Sequence, residues 1–381
     1  MKKELCMMAI GLLLAGCSAD EEIANVHTSE SNVIGFNVVS NNPQTKATII
    51  SRNTFTEHPF EVFALKDGQS FIGNSSSGWR GGVTIQYDTD NAMWNYANQE
   101  DILYWPHVEA LDFYAISPAT FHFSNWIING DKQELQVAVH DEYAPTVSSS
   151  EPNVDLMYAY ALQQKKSDTQ NGKITLQFKH ALSQVLFKAK KRDENLRVEI
   201  KSMEIANVYG RGKFSFPASI SSSGIWSDYL LPMSYTVGMD SSTPIEVTAV
   251  GDSETKISGN KPMLFIPQTL EKWDPQTTTI EAVDGTKDRS YLKITCKIYQ
   301  ESDGGEAHYF IPRDGEALED DYGVMYVPFE AMWESGKRYI YTLIFGAGYN
   351  ADGTENDIVP ITFNAAVEED WENAPVIKDD F

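Results

Sequence analysis

A chain of 381 residues is too long for one compact core, so two folded domains are expected, and 42% hydrophobic with 22% charged residues is the composition of an ordinary soluble globular protein. The 54 acidic against 30 basic side chains leave a net charge of −24 at pH 7. That balance excludes nucleic acid as a partner, since phosphates demand a basic face, and argues against direct adhesion to an anionic lipid surface.

The chain opens with Met1-Lys2-Lys3, an apolar run over residues 5–15, and Leu14-Ala15-Gly16-Cys17. A basic start, an apolar middle and a small-residue end make residues 1–16 a secretory signal. The run is shorter than the roughly 20 apolar residues that a membrane span needs. Small residues just before a cysteine look like the lipobox of a bacterial lipoprotein, which implies a lipid on Cys17 and an outer-membrane anchor. The acidic stretch over residues 18–22 resembles the surface-export tags of such lipoproteins.

Residues 17–46 then read as a tether ending in one strand. Within Val33-Ile-Gly-Phe-Asn-Val-Val39, the side chains of Ile34, Phe36 and Val38 share a face at period two. Turn residues follow over 41–46, and Lys46 before Ala47 makes a trypsin-like site, with Arg52 the next candidate. Lipid site, tether, isolated strand, cuttable turn and folded body, in that order, suit a strand that can be cut away. An ordinary first strand followed by a solvated lysine fits the same residues.

The body reads as strands. Residues 60–65, 82–87, 94–96, 110–116, 134–139 and 173–178 alternate or run apolar between clusters of Gly, Asn, Asp and Ser. Many short strands with regular turns imply β-sandwiches, not a parallel α/β sheet. The pattern restarts near His180, which sets the domain boundary: residues 47–183 form the N-terminal sandwich and 184–381 the C-terminal one. Strands are expected again at 197–206, 213–216, 245–250, 263–266, 291–299, 338–345 and 359–363, and a short helical turn at 329–333. Cys296 lies in one of these strands and reads as a buried thiol; with Cys6 in the leader and Cys17 lipidated, no intrachain disulfide is expected.

Several stretches, taken in order, resemble the fimbrillins. These are Asp101-Ile-Leu-Tyr-Trp-Pro106 with Leu111-Asp-Phe-Tyr-Ala115, Asp155-Leu-Met-Tyr-Ala159, Leu176-Gln-Phe-Lys-His-Ala-Leu-Ser183 and Met263-Leu-Phe-Ile-Pro-Gln268. The closing Trp333-Glu-Ser-Gly-Lys-Arg-Tyr-Ile-Tyr-Thr-Leu343, followed by Pro360-Ile-Thr-Phe363, Val367 and Trp371, is the most specific. Fimbrillins are subunits of the type V pili of gut and oral anaerobes. The resemblance implies two transthyretin-like β-sandwich domains in tandem, lipoprotein export, proteolytic removal of a first strand at the cell surface, and polymerisation by strand donation between subunits. Residues 33–47 are similar to that strand and its cleavage site, although the best-known site in the family carries Arg where this chain has Lys46. The chain ends ten residues after Trp371, so no long C-terminal donor extension is expected.

Chemistry leaves little trace. The seven histidines are scattered, with no zinc-binding helix pattern and no nucleophile elbow. His180, beside the domain junction, reads as a hydrogen-bonding core residue. Residues 88–91 and 319–321 are acidic turns without calcium-loop spacing, and Gly346-Ala-Gly348 opens no helix that would hold a nucleotide. No catalytic, metal or cofactor site is expected. Aromatic residues suit cross-strand core pairs, with the Trp126 and Trp226 loops as candidate platforms for a surface glycan or protein. The leading reading is therefore a pilus subunit with a role in adhesion, and the alternative a monomeric glycan-binding surface lipoprotein that keeps its first strand.

Overall fold

β-Branched and aromatic residues alternating with polar ones dictate extended structure along almost the whole chain. The computed structural model describes residues 32–40, 55–72, 82–119, 125–129, 132–137, 155–239, 243–258, 262–283, 289–301, 305–312, 320–346 and 361–368. The expected leader, Cys17, Lys46, Ala47, Arg52, Glu319, Gly348 and Trp371 lie outside these residues. The first part of the chain supplies β1 (Gly35–Ser40), β2 (Phe60–Lys66), β3 (Gln69–Ile72), β4 (Val83–Asp88), β5 (Met93–Tyr96), β6 (Leu111–Ser117), β7 (Asn125–Asn129), β8 (Lys132–Val137), β9 (Met157–Gln164) and β10 (Lys173–His180). The rest supplies β11 (Ser183–Lys191), β12 (Leu196–Ser215), β13 (Ile225–Thr236), β14 (Ile245–Glu246), β15 (Thr255–Lys256), β16 (Met263–Phe265) and β17 (Thr269–Leu270). One short helix, α1 (Ile280–Val283), precedes β18 (Tyr291–Glu301), β19 (Ala307–Ile311), β20 (Gly323–Pro328), β21 (Ala331–Met332), β22 (Arg338–Phe345) and β23 (Ile361–Glu368). The fold is all-β.

The N-terminal strands form one sheet in the order β3-β2-β4-β5-β1-β10-β9-β6, and β6 pairs back onto β2. Among the described residues the ladder therefore closes into a ring, with β1 joined to β5 through one pair, Phe36 opposite Trp94. Ile34, Phe36, Phe60, Val62, Phe113, Ile174, Leu176 and Phe178 fill its interior. The outer face is uneven. On β2, β6 and β9 the residues of opposite parity, among them Phe63, Tyr114, Ile116 and Tyr158, are also buried, packed against Phe214, Trp226, Leu264 and Ile266 of the C-terminal strands. This double burial explains why β2 is buried at every residue from Phe60 to Leu65, Glu61 included. On β1 and β10 the outward residues Asn37, Val39, Thr175 and Gln177 are exposed.

The C-terminal strands make two facing sheets. One runs β15-β11-β22-β23 with β16 also on β11; the other is built on β12 and β18, with β19 and β20 on β18 and β13 and β14 on β12. Val185, Phe187, Tyr341 and Phe345 of the first meet Val198, Ile200, Leu292, Ile294 and Cys296 of the second in one core. The C-terminal strands thus face one another across one core, while the N-terminal strands pair around another. The hairpin β7–β8 also pairs with the C-terminal strands, Leu135 of β8 opposite Phe214 of β12. The chain passes from β10 to β11 through Ala181 and Leu182.

Two expectations are corrected. Residues 329–333 are not helical: Ala331 and Met332 pair with β17, and Phe329 and Trp333 are buried in the sandwich core. The strands expected at 197–206 and 213–216 are one strand, β12, continued through a bulge at Asn207, whose φ of 61° lies in the left-handed region. The Asn207 side-chain Nδ2 donates to the carbonyls of Val283 (2.7 Å) and Arg289 (2.9 Å), holding that bulge.

Gly210 on β12 marks a close approach. A Cβ there would fall 1.7 Å from the hydroxyl of Tyr235, which is buried without a hydrogen-bond partner among the described residues. Gly210→Ala should therefore destabilise the protein by about 1–3 kcal/mol through overpacking. Tyr235→Phe should be neutral or stabilising, because it deletes an unpaired buried group, and the double variant should regain most of the loss. Urea unfolding of the three proteins measures this.

Candidate functional site

The site is the slot that β1 occupies. Its far rail is β10, entered through a tight Asn-Gly turn with Asn171 at φ 57° and Gly172 at φ 72°. β1 lies parallel to β10 over six pairs, from Gly35 opposite Lys173 to Ser40 opposite Phe178. On its other side Phe36 pairs with Trp94 of β5, and residues 103–105, which follow β5 after a 3-10 turn at Gln99–Asp101, continue the rail. The Ile34 amide donates to the Leu103 carbonyl at 2.9 Å, and the Trp105 amide to the Asn32 carbonyl at 2.9 Å. The Gly172 carbonyl accepts from both the Gly35 amide (3.0 Å) and the Trp105 indole (3.0 Å).

The apolar face of β1 meets the ring interior. Ile34 is 0% and Phe36 3% exposed, while Val38 is half-buried and packs against the same core. The Phe36 ring lies edge-on to Phe60, Tyr96 and Phe113, with centroids 6.2, 5.9 and 6.5 Å away. The structure thus brings Ile34, Phe36 and Val38 together in one slot. Sequence reasoning missed the clamp opposite them: the Tyr96 hydroxyl donates to the Ile34 carbonyl at 2.8 Å. Tyr96 was visible only as an alternating aromatic, and nothing local links it to Ile34.

Other singled-out residues are structural. His180 Nδ1 sits 2.8 Å from Asp155 Oδ2, both side chains nearly closed to solvent. Cys296 is fully buried, and burial pushes its thiol up to about 12. The Asp88 carboxylate accepts from the Asp90 and Asn91 amides and from the Asn91 and Asn95 side chains, as an acidic turn does. Among the described residues no group of three or more His, Cys, Asp or Glu side chains is placed to hold a metal ion. The Trp226 indole is buried and donates to the Ala181 carbonyl at 2.7 Å; the side chain of Trp126 lies outside the described residues.

A family model described as fimbrillin-like matches residues 45–371. The chain belongs to the fimbrillin-like family. Its fold is similar to the crystal structure of a fimbrial protein from Bacteroides vulgatus, with a TM-score of 0.53 and 13% identity over 89% of this chain and 99% of that one. A tip fimbrial protein, Mfa3, from Porphyromonas gingivalis matches with a TM-score of 0.32 and 13% identity over 82% of this chain and 94% of that one. No curated protein matches the sequence at a significant level.

The packing of β1 in this fimbrillin-like chain yields two expectations. Phe36→Ala should lose about 3–5 kcal/mol of stability as a cavity-forming change, whereas Val39→Ala, at a 45% exposed position, should stay within about 0.5 kcal/mol; chemical denaturation distinguishes them. Burial pushes the Tyr96 phenol from 10.0 up to about 12, so the fold favours its neutral form. Its contribution is complete below pH 10 and lost as pH rises toward 12. In Tyr96→Phe the stability lost between those pH values should be smaller than in the parent, measured by unfolding at each pH.

Proposed function

We propose that this chain is a structural subunit of a cell-surface pilus, exported as a lipoprotein and assembled when its first strand is cut away and a neighbour's strand takes the slot. The observation that carries this reading is the position of β1. It completes the N-terminal ring, yet it lies where the ring faces solvent and not under the C-terminal strands. Its loss would leave the paired edges of β10 and β5 and an apolar slot open. With Ile34 and Phe36 each worth about 1.5–3 kcal/mol on burial, an emptied slot favours refilling by an incoming strand.

The sequence supplies a candidate donor. Ile361-Thr-Phe-Asn364 at the start of β23 repeats the pattern of Ile34-Gly-Phe-Asn37. Among the described residues β23 pairs with β22 alone, so it is an edge strand. In this reading residues 1–16 are the signal, 17–46 the lipidated tether and removable strand, 47–183 and 184–381 two tandem units of transthyretin-like type, and Cys17 the outer-membrane anchor. Cleavage follows Lys46, or Arg52 in its place, and the role is structural and adhesive, not catalytic. The partners are other pilus subunits.

Trypsin applied to the folded protein should cut early near Lys46 or Arg52, and the nicked protein should then form higher-order ladders on a gel. Lys46→Ala with Arg52→Ala should block both, and Phe363→Asp should block assembly without blocking the cut. Assembly by the uncut double variant at the parent rate would instead favour a monomer that keeps β1 and binds glycans. Cys17→Ala should abolish incorporation of labelled fatty acid; labelling that persists contradicts the lipoprotein reading.

A further inference from the structure

A second concave site lies outside the core cluster that holds β1. Between β13 and the chain segments that flank β17 and β21, a cleft of about 480 Å³ is lined by Tyr209, Trp226, Tyr229, Gln268, Thr269 and Glu334, among others. That volume lies in the range of small-ligand sites. Its walls are fixed before any ligand arrives. The Tyr209 and Tyr229 rings pack with centroids 5.5 Å apart at 38°, and the Tyr229 hydroxyl donates to the Pro267 carbonyl at 2.6 Å. The Gln268 side chain accepts from the Tyr209 amide (2.8 Å) and donates to the Tyr209 and Ile266 carbonyls (3.0 Å each).

The Tyr229 hydroxyl and the Trp226 indole are tied to the Pro267 and Ala181 carbonyls, which leaves their rings as cleft surface. Its rim is different: Thr269 is exposed, and the Glu334 side chain, paired with Lys337, is 56% exposed. The Glu334 amide donates to the Tyr339 hydroxyl at 2.9 Å, which holds the rim in place.

We propose that this cleft binds a short neutral saccharide, with a C–H face of a sugar ring on Tyr209 and Tyr229 and its hydroxyls on Glu334 and Thr269. An anionic sugar is disfavoured by the rim carboxylate and by the net charge of −24. An extended peptide is disfavoured because the nearby main-chain groups are engaged, the Trp333 amide donating to the Gln268 carbonyl at 2.9 Å and Gln268 taking both main-chain groups of Tyr209. The proposal goes beyond pilus assembly and stands whether or not β1 is removable.

Saturation-transfer NMR on the intact protein tests it, with cellobiose, lactose and chitobiose as neutral probes and 3′-sialyllactose as the anionic one. At least one neutral disaccharide should receive saturation. Glu334→Gln should weaken that binding by about 5–10-fold, as a charge-assisted hydrogen bond becomes a neutral one. Thr269→Trp, at an exposed position that leaves the core intact, should abolish it. The proposal is overturned if no neutral probe receives saturation, if transfer survives Thr269→Trp, if sialyllactose binds as well as its neutral parent, or if an apolar octapeptide binds the cleft in place of every sugar.

Discussion

The parallel pairing of β1 with β10 is the interaction on which the N-terminal half depends. Without it the ring of strands is an open sheet, with the β10 edge unpaired over residues 173–178 and the interior aromatic side chains uncovered. Each link in that pairing is modest, about 0.5–1.5 kcal/mol per net hydrogen bond. The strand is held by their sum together with Ile34 and Phe36 in the ring interior. Such a bond is strong while the strand is continuous with its neighbours in space, and it requires no covalent link to them.

The outer surface of the ring is uneven, so its strands differ in how many cores they hold together. β2, β6 and β9 are buried on both faces, one in the ring and one against the C-terminal strands. Withdrawing any of them would open two cores at once. β1 opens one. Its outward residues Asn37 and Val39 meet solvent, so its departure leaves the contact between the two halves untouched. The C-terminal sandwich serves as a fixed support, with Trp226 and Ser335 both donating to the Ala181 carbonyl at the link between the halves.

Much of this was legible in the sequence wherever one face of a strand is wet. β10 alternates Ile174, Leu176 and Phe178 with polar residues, and β1 does the same with Ile34, Phe36 and Val38. The fimbrillin resemblance added order to those strands. What stayed hidden was set by distant packing. The parallel partner of β1 lies far along the chain, and no local pattern names it. β13 escaped notice because Asp228 and Pro232 interrupt its pattern, which an edge strand tolerates. The helical expectation for residues 329–333 failed because the four-residue spacing of Phe329 and Trp333 suits a helix turn, while pairing with β17 fixed an extended chain between them. The ring closure through β2 and β6 likewise has no sequence signature.

Hydrogen exchange by mass spectrometry, comparing the intact protein with protein cut near residue 46 and freed of its first strand, tests the central claim most directly. If β1 closes the ring and is separable from the rest, protection should fall in residues 173–180 of β10 and 93–105 around β5. Residues 183–191 of β11 and 338–345 of β22 should keep theirs. Adding a peptide of residues 32–40 should restore the lost protection. Loss of protection across both halves, or unchanged protection in β10 after the strand has gone, would contradict the account.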